Sequence, residues 1–181
     1  MVNLISPAYL KSFCPEINPN VDDNMIIHSI SKMQKMKMQK EVIGKVYLDY
    51  LMNVIETSGE TALTADDTTI MDNYFKPLLA LYSFIDMLPR ISYVVDNSGV
   101  REKSVNESVQ TSRSNISYLQ QNTEAEITYY LNELTWFLNE NSSKYEMALT
   151  CKYGTPNRQN SEFSGIFFPK KQNRKSNGYD W

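Results

Sequence analysis

With 181 residues, 41% hydrophobic and 22% charged, the chain is long enough to bury a core and has the balance of one globular domain, not of a low-complexity polymer. Its net charge of -3 divides unevenly: residues 141–181 hold seven bases and three acids, while residues 1–140 hold eleven bases and eighteen acids. The start, Met1 to Pro7, has neither a basic nor an apolar signal region, and no run approaches the roughly 18 apolar residues of a membrane span. The expectation is assembly in a cytosol.

Ser6-Pro7 predicts a short helix to about Phe13, with Ser6 capping free N–H groups and proline where its missing donor costs nothing. Asn20 or Asp22 can cap the next helix, expected over 22–56. Ile26, Ile30, Met33, Met36, Ile43, Tyr47, Leu51 and Val54 mark its apolar face, and Lys32, Lys35, Lys37 and Lys40 occupy other positions. Gly44 interrupts the pattern as a kink or a site of close packing, and Gly59 reads as a C-cap.

Asp66 and Asp67 suit a helix start, by capping or by complementing the dipole. That helix, expected over 66–88, presents Ile70, Tyr74, Leu78, Leu81, Ile85 and Leu88. Pro77 inside it removes the bond to the Asn73 carbonyl and predicts a bend, and Pro89 predicts the end.

Ile91 to Val95 then reads as a strand, Asp96 to Gly99 as a tight turn and Val100 to Lys103 as a returning strand. A lone hairpin is marginal in water, so this one (91–103) is expected to pack on helices or another chain. From about Ser104 to 140 the helical period returns through Val105, Val109, Ser112, Ile116, Leu119, Thr123, Ile127, Tyr130, Leu134 and Phe137. One helix of about 35 residues would be about 50 Å long, more than a small core needs, so part of it is expected to meet other subunits.

The fold class expected is therefore mainly α: a helical bundle with long helices, one small β-hairpin and an extended C-terminal arm. Residues 1–140 form the body and 141–181 the arm. The arm is basic yet holds Phe163, Phe167, Phe168, Tyr179 and Trp181. Ordering residues 155–181 costs about 1–2 kcal/mol each. The five aromatics return about 2–3 kcal/mol each. Main-chain hydrogen bonds to a partner, as in strand addition, are expected to supply the difference. These five aromatics, with Tyr93 and Val95 of the hairpin, are the candidate interface residues.

Residues suited to catalysis are sparse. His28, the one histidine, lies on a helix without a partner motif and reads as structural or surface. The glycines form no phosphate-binding loop. Asp22-Asp23 and Asp66-Asp67 could ligate a metal, but both precede helices, where capping explains them. Cys14 and Cys151 have no metal-like spacing and read as free thiols, with a disulfide left open. Hence no catalytic, cofactor-binding or metal residue is assigned. Lys170-Lys171 and Arg174-Lys175, interleaved with aromatics, leave open a second class: a small nucleic-acid-binding or regulatory protein using its basic tail.

Three features carry a family resemblance. One is the string Ile43-Gly44-Lys45-Val46-Tyr47-Leu48-Asp49-Tyr50-Leu51 in a long helix. Another is Tyr74-Phe75-Lys76-Pro77-Leu78-Leu79-Ala80-Leu81-Tyr82 before Leu88-Pro89. The third is the Asn97-Ser98-Gly99-Val100 turn before a long final helix. Over residues 4–140 this order resembles the head–tail connector (adaptor) proteins of tailed bacteriophages, especially the neck ring proteins of crAss-like phages. The resemblance implies a non-enzymatic virion protein, a dodecameric ring beneath the portal. Such a ring extends the DNA channel without sequence-specific binding and docks an adjacent tail or second ring protein. It implies neither cofactor nor membrane.

Overall fold

Ser6 opens the first helix: its side chain accepts from the Tyr9 N–H at 3.1 Å, and Pro7 occupies the first helical position. A computed structural model of the chain describes residues 2–96, 99–102 and 113–145, with side chains for 2–90 and 116–145. Helix α1 is Pro7–Phe13. Lys11 on it reaches the Pro19 carbonyl and Asp23, both at 2.8 Å, so the loop between is tied to the start of α2 (Asp23–Met33). Of the two candidate caps, Asp22 serves: its carboxylate accepts from the Asn24 N–H at 2.9 Å.

The helix expected over 22–56 is not continuous. After Met33 the backbone widens into a π segment, Gln34–Val42, closed by an Ile43 N–H to Met38 carbonyl bond of 2.7 Å. A π turn takes more residues than an α turn, so the inward positions move to Met38, Val42 and Ile43, and Met36 is turned to solvent. Gly44 then adopts φ +80° and ψ 156°, a conformation nearly confined to glycine, and caps a new helix, α3 (Lys45–Ser58). Gly59 ends α3 at φ +82°.

The next helix starts one residue earlier than the expected 66, so Asp66 and Asp67 complement its dipole and do not cap it. Thr64 is the cap of α4 (Ala65–Ile70), and the two aspartates sit in its first turn. A second π segment, Met71–Phe75, leads into α5 (Lys76–Ser92). The disturbance expected at Pro77 takes this form: the π turn lies immediately before the residue that cannot donate, where the bonding pattern must change. Pro89 does not stop α5, which continues to Ser92. One lost hydrogen bond is outweighed by burial of Met87 and Leu88, and an Arg90–Asp86 ion pair of 3.2 Å braces the last turn. Ile91 and Ser92 are thus helical, and strand β1 is Tyr93–Asp96. It runs antiparallel to β2 (Gly99–Glu102), with Tyr93 opposite Glu102 and Val95 opposite Val100. The last described helix is α6, Arg113–Glu140, about 42 Å long.

The protein is mainly helical, and α5 is its central element, packed by α2 and by α6. Leu78, Leu79, Ala80, Leu81, Phe84 and Met87 of α5 are buried. They share one core cluster with Ile26 and Ile30 of α2 and Ile127, Leu134 and Leu138 of α6. Polar groups enter this core in pairs. Gln34, fully buried, accepts from the Leu4 N–H at 2.8 Å and donates to the Val2 carbonyl at 3.2 Å, holding the N-terminal segment as another peptide group would. Among the described residues no helix is long and apolar enough to cross a membrane.

Candidate functional site

The expected interface residues fall in two groups. Tyr93 and Val95 lie in β1. Phe163, Phe167, Phe168, Tyr179 and Trp181 lie outside the described residues, as does the basic cluster from Lys170 to Lys175. Of the segment 141–181 assigned to the arm, Asn141–Lys144 form a turn and Tyr145 is buried against the body. His28 is exposed on α2.

The aspartate pairs are absorbed by structure. Asp22 caps α2, and Asp23 pairs with Lys11. Asp67, nearly buried, receives the hydroxyls of Tyr47 at 2.5 Å, Thr64 at 2.7 Å and Tyr50 at 3.2 Å. In return Thr64 Oγ1 accepts the Asp67 N–H at 3.1 Å. Burial first, and the bond to Asp67 second, pushes the Tyr47 phenol well up, so it remains a neutral donor. Tyr145 donates to the Asp66 carbonyl at 2.8 Å, and burial with the Asp66 and Asp67 charges raises its phenol to about 12. Lys144 pairs with the Asp66 carboxylate at 3.3 Å. These residues line a shallow cleft. The Tyr47, Tyr50 and Thr64 hydroxyls donate to Asp67 and that of Tyr145 to the Asp66 carbonyl, so the cluster is a joint tying α3, α4 and the chain after α6. Among the described residues, no three His, Cys, Asp or Glu side chains are grouped to hold a metal ion.

Of the large apolar side chains left exposed, Ile27, Met36 and Val46 are scattered over α2, the first π segment and α3, and the three aromatic ones lie on α6. Thr123, Ile127, Leu134 and Leu138 face the core. Half a turn around, Tyr118, Tyr129 and Trp136 are 64%, 61% and 57% exposed. Their separations of 11 and 7 residues bring them onto one line along the helix. Glu126, Glu133 and Glu140 follow beside them at seven-residue intervals. Three large exposed aromatics in a row are more than scattered surface apolar residues, and Trp and Tyr are the side chains enriched at protein interfaces. Sequence reading missed this stripe because attention to the buried period passed over the residues out of phase with it; the heptad-like spacing was the available signal.

The lysines of α2 and the π segment differ in commitment. Lys32 pairs with Asp86, and Lys37 pairs with Glu41 at 3.0 Å and lies over the Tyr82 ring. Lys35 and Lys40 are exposed, without an ion-pair partner among the described residues, on either side of the exposed Met36.

A protein-family model described as a family of unknown function (DUF6712) matches residues 29–158, from α2 through α6 and beyond. Neither a curated protein nor a solved structure matches the chain. The match spans well over half of the sequence, and the chain belongs to the DUF6712 family.

Proposed function

We propose that this protein is a structural subunit of a phage head–tail connector. Copies of it assemble into a ring of twelve in the virion neck, joining portal to tail and extending the DNA channel. The observation that carries the reading is the exposed Tyr118–Tyr129–Trp136 line on α6, opposite the face that fills the core. A lone copy leaves this surface wet; a subunit with neighbours can bury it. The resemblance of residues 4–140 to connector proteins supplies the class of assembly, and the mainly helical body suits it.

In this reading the β1–β2 hairpin and the arm from residue 141 onward grip neighbouring subunits, the portal or the next ring. Phe163, Phe167, Phe168, Tyr179 and Trp181 act as anchors. The acidic body suits a DNA passage, because negative walls do not hold phosphate. No catalysis is assigned.

Native mass spectrometry and electron microscopy of the full-length chain test the proposal. Ring-shaped oligomers, weakened by deletion of residues 155–181, are expected. A chain that stays single at every concentration, even beside a portal ring, overturns it. Salt-dependent binding of short duplex DNA by such a monomer would instead favour the nucleic-acid-binding reading.

A further inference from the structure

The ring reading does not say which faces meet, but the described surface carries two unsatisfied patches of opposite character. The first is the α6 ridge Glu126, Tyr129, Glu133, Trp136 and Glu140, whose spacings of 3, 4, 3 and 4 keep acids and rings on one side of the helix. None of its glutamates has an ion-pair partner among the described residues. The second is the π-segment turn Lys35, Met36 and Lys40. There two cations without an ion-pair partner among the described residues flank a methionine that is 47% exposed because the widened helix has rotated it outward.

Their placement matters as much as their charge. Helix α5 packs against both α2 and α6, and among the described residues no ion pair joins Lys35 or Lys40 to Glu126, Glu133 or Glu140. The two patches of one molecule therefore do not meet, whereas those of two molecules can. An interface between two different faces of identical subunits is head to tail, and it propagates into a closed ring when the rotation between neighbours closes.

We propose that the acid–aromatic ridge of one copy seats the Lys35–Met36–Lys40 turn of a second copy. This inference rests on the connector reading and identifies its subunit contact. Trp136 and Tyr129 supply the anchor surface, with Met36 as the adaptable apolar side chain against them. Lys35 and Lys40 meet Glu133 and, two helical turns to either side of it, Glu126 or Glu140. The three exposed rings of α6 offer on the order of 350 Å². A stable interface takes about 800 Å² per partner, so ridge and turn form its centre and flanking surface the remainder. Charge pairing also sets direction: ridge against ridge, or turn against turn, places like charges together.

Charge exchange in the full-length protein tests this. One variant carries Glu126→Lys, Glu133→Lys and Glu140→Lys; the other carries Lys35→Glu and Lys40→Glu. Four of the five changed residues are exposed and Glu133 is half-buried, so circular dichroism checks that helix content is kept. Each variant alone is expected to lose the wild-type oligomer in sedimentation. An equimolar mixture is expected to regain it, because every contact between unlike copies is again between opposite charges. Trp136→Ala, which leaves the charges in place, should weaken association by about tenfold or more.

If either charge variant assembles like the wild type, or the mixture stays monomeric, the pairing is overturned while the connector reading stands. A wild-type chain that never assembles overturns both. Should Lys35→Glu with Lys40→Glu abolish binding of a short DNA duplex and leave the oligomer intact, the turn is a phosphate contact and the pairing is again overturned.

Discussion

The Tyr47 hydroxyl donates to Asp67 Oδ1 at 2.5 Å and so joins the first turn of α3 to the first turn of α4. The two helices are linked by the Gly59 turn and a short 3-10 segment, Glu60–Ala62. Without the bond, the nearly buried carboxylate would keep its Thr64 and Tyr50 donors and lose its shortest contact.

Tyr47→Phe should therefore destabilise the fold by about 1.5–3 kcal/mol, the range for hydrogen bonds to charged groups. Urea unfolding followed by circular dichroism would read this as a lower midpoint with an unchanged slope. Tyr50→Phe, at a longer and more exposed contact, should cost less. Equal losses would contradict the geometry.

Gly59 tests a backbone requirement without a packing one. At φ +82° and ψ 165° it occupies a region nearly closed to other residues, yet a methyl group there would come no nearer than 4.0 Å to Thr61 Oγ1. Gly59→Ala should cost about 1–3 kcal/mol from strain alone. A thermal shift smaller than that of an exposed Ala→Gly control in α6 would refute the assignment.

Asp86 gives the stability a pH dependence of known sign. Burial works against its charge, but hydrogen bonds from Lys32 and Ser29, with the Arg90 charge, hold its carboxyl below the ordinary 3.8. Ser29 donates at 2.8 Å and the Lys32 ion pair connects α2 to α5. A folded-state value below the unfolded one means the contribution is complete well above 3.8 and is lost as pH falls through the folded value. The Tm gap between wild type and Asp86→Asn should be constant from about pH 6 to 8 and narrow below pH 3.8. A gap that widens on acidification would reverse the sign.

Cys14 should be chemically silent while the protein is folded. Burial, aided by the Glu16 and Glu126 charges, pushes its thiol up to about 12, and its side chain is closed to solvent. In a Cys151→Ser background, alkylation at pH 8 should follow global unfolding and accelerate sharply in denaturant. Labelling at the rate of a free thiol in buffer would show the N-terminal segment packed otherwise.

The helical class, the caps at Ser6 and Asp22 and the Gly59 stop were legible because they are local. Apolar residues every three or four positions and short oxygen-bearing side chains before them act within one turn of backbone. Much of the α6 core face was legible for the same reason. The errors came where neighbours overrule local preference. Met36 kept the apolar spacing yet faces water, because the π segment Gln34–Val42 resets the phase of the helix that contains it. Pro89, a stop in isolation, lies inside a helix whose flanking side chains are buried.

Sequence alone thus determined that this chain folds into amphipathic helices with an acidic body. Pattern and propensity act through nearest neighbours along the chain, and no distant contact is needed to read them. Only the tertiary structure decided that Asp67 is a joint and that Lys32 and Lys37 are committed while Lys35 and Lys40 have no ion-pair partner among the described residues. The same holds for the aromatic line of α6, which lies on the uncovered side. Exposure and pairing are properties of which surfaces meet in space, and residues far apart in sequence set them.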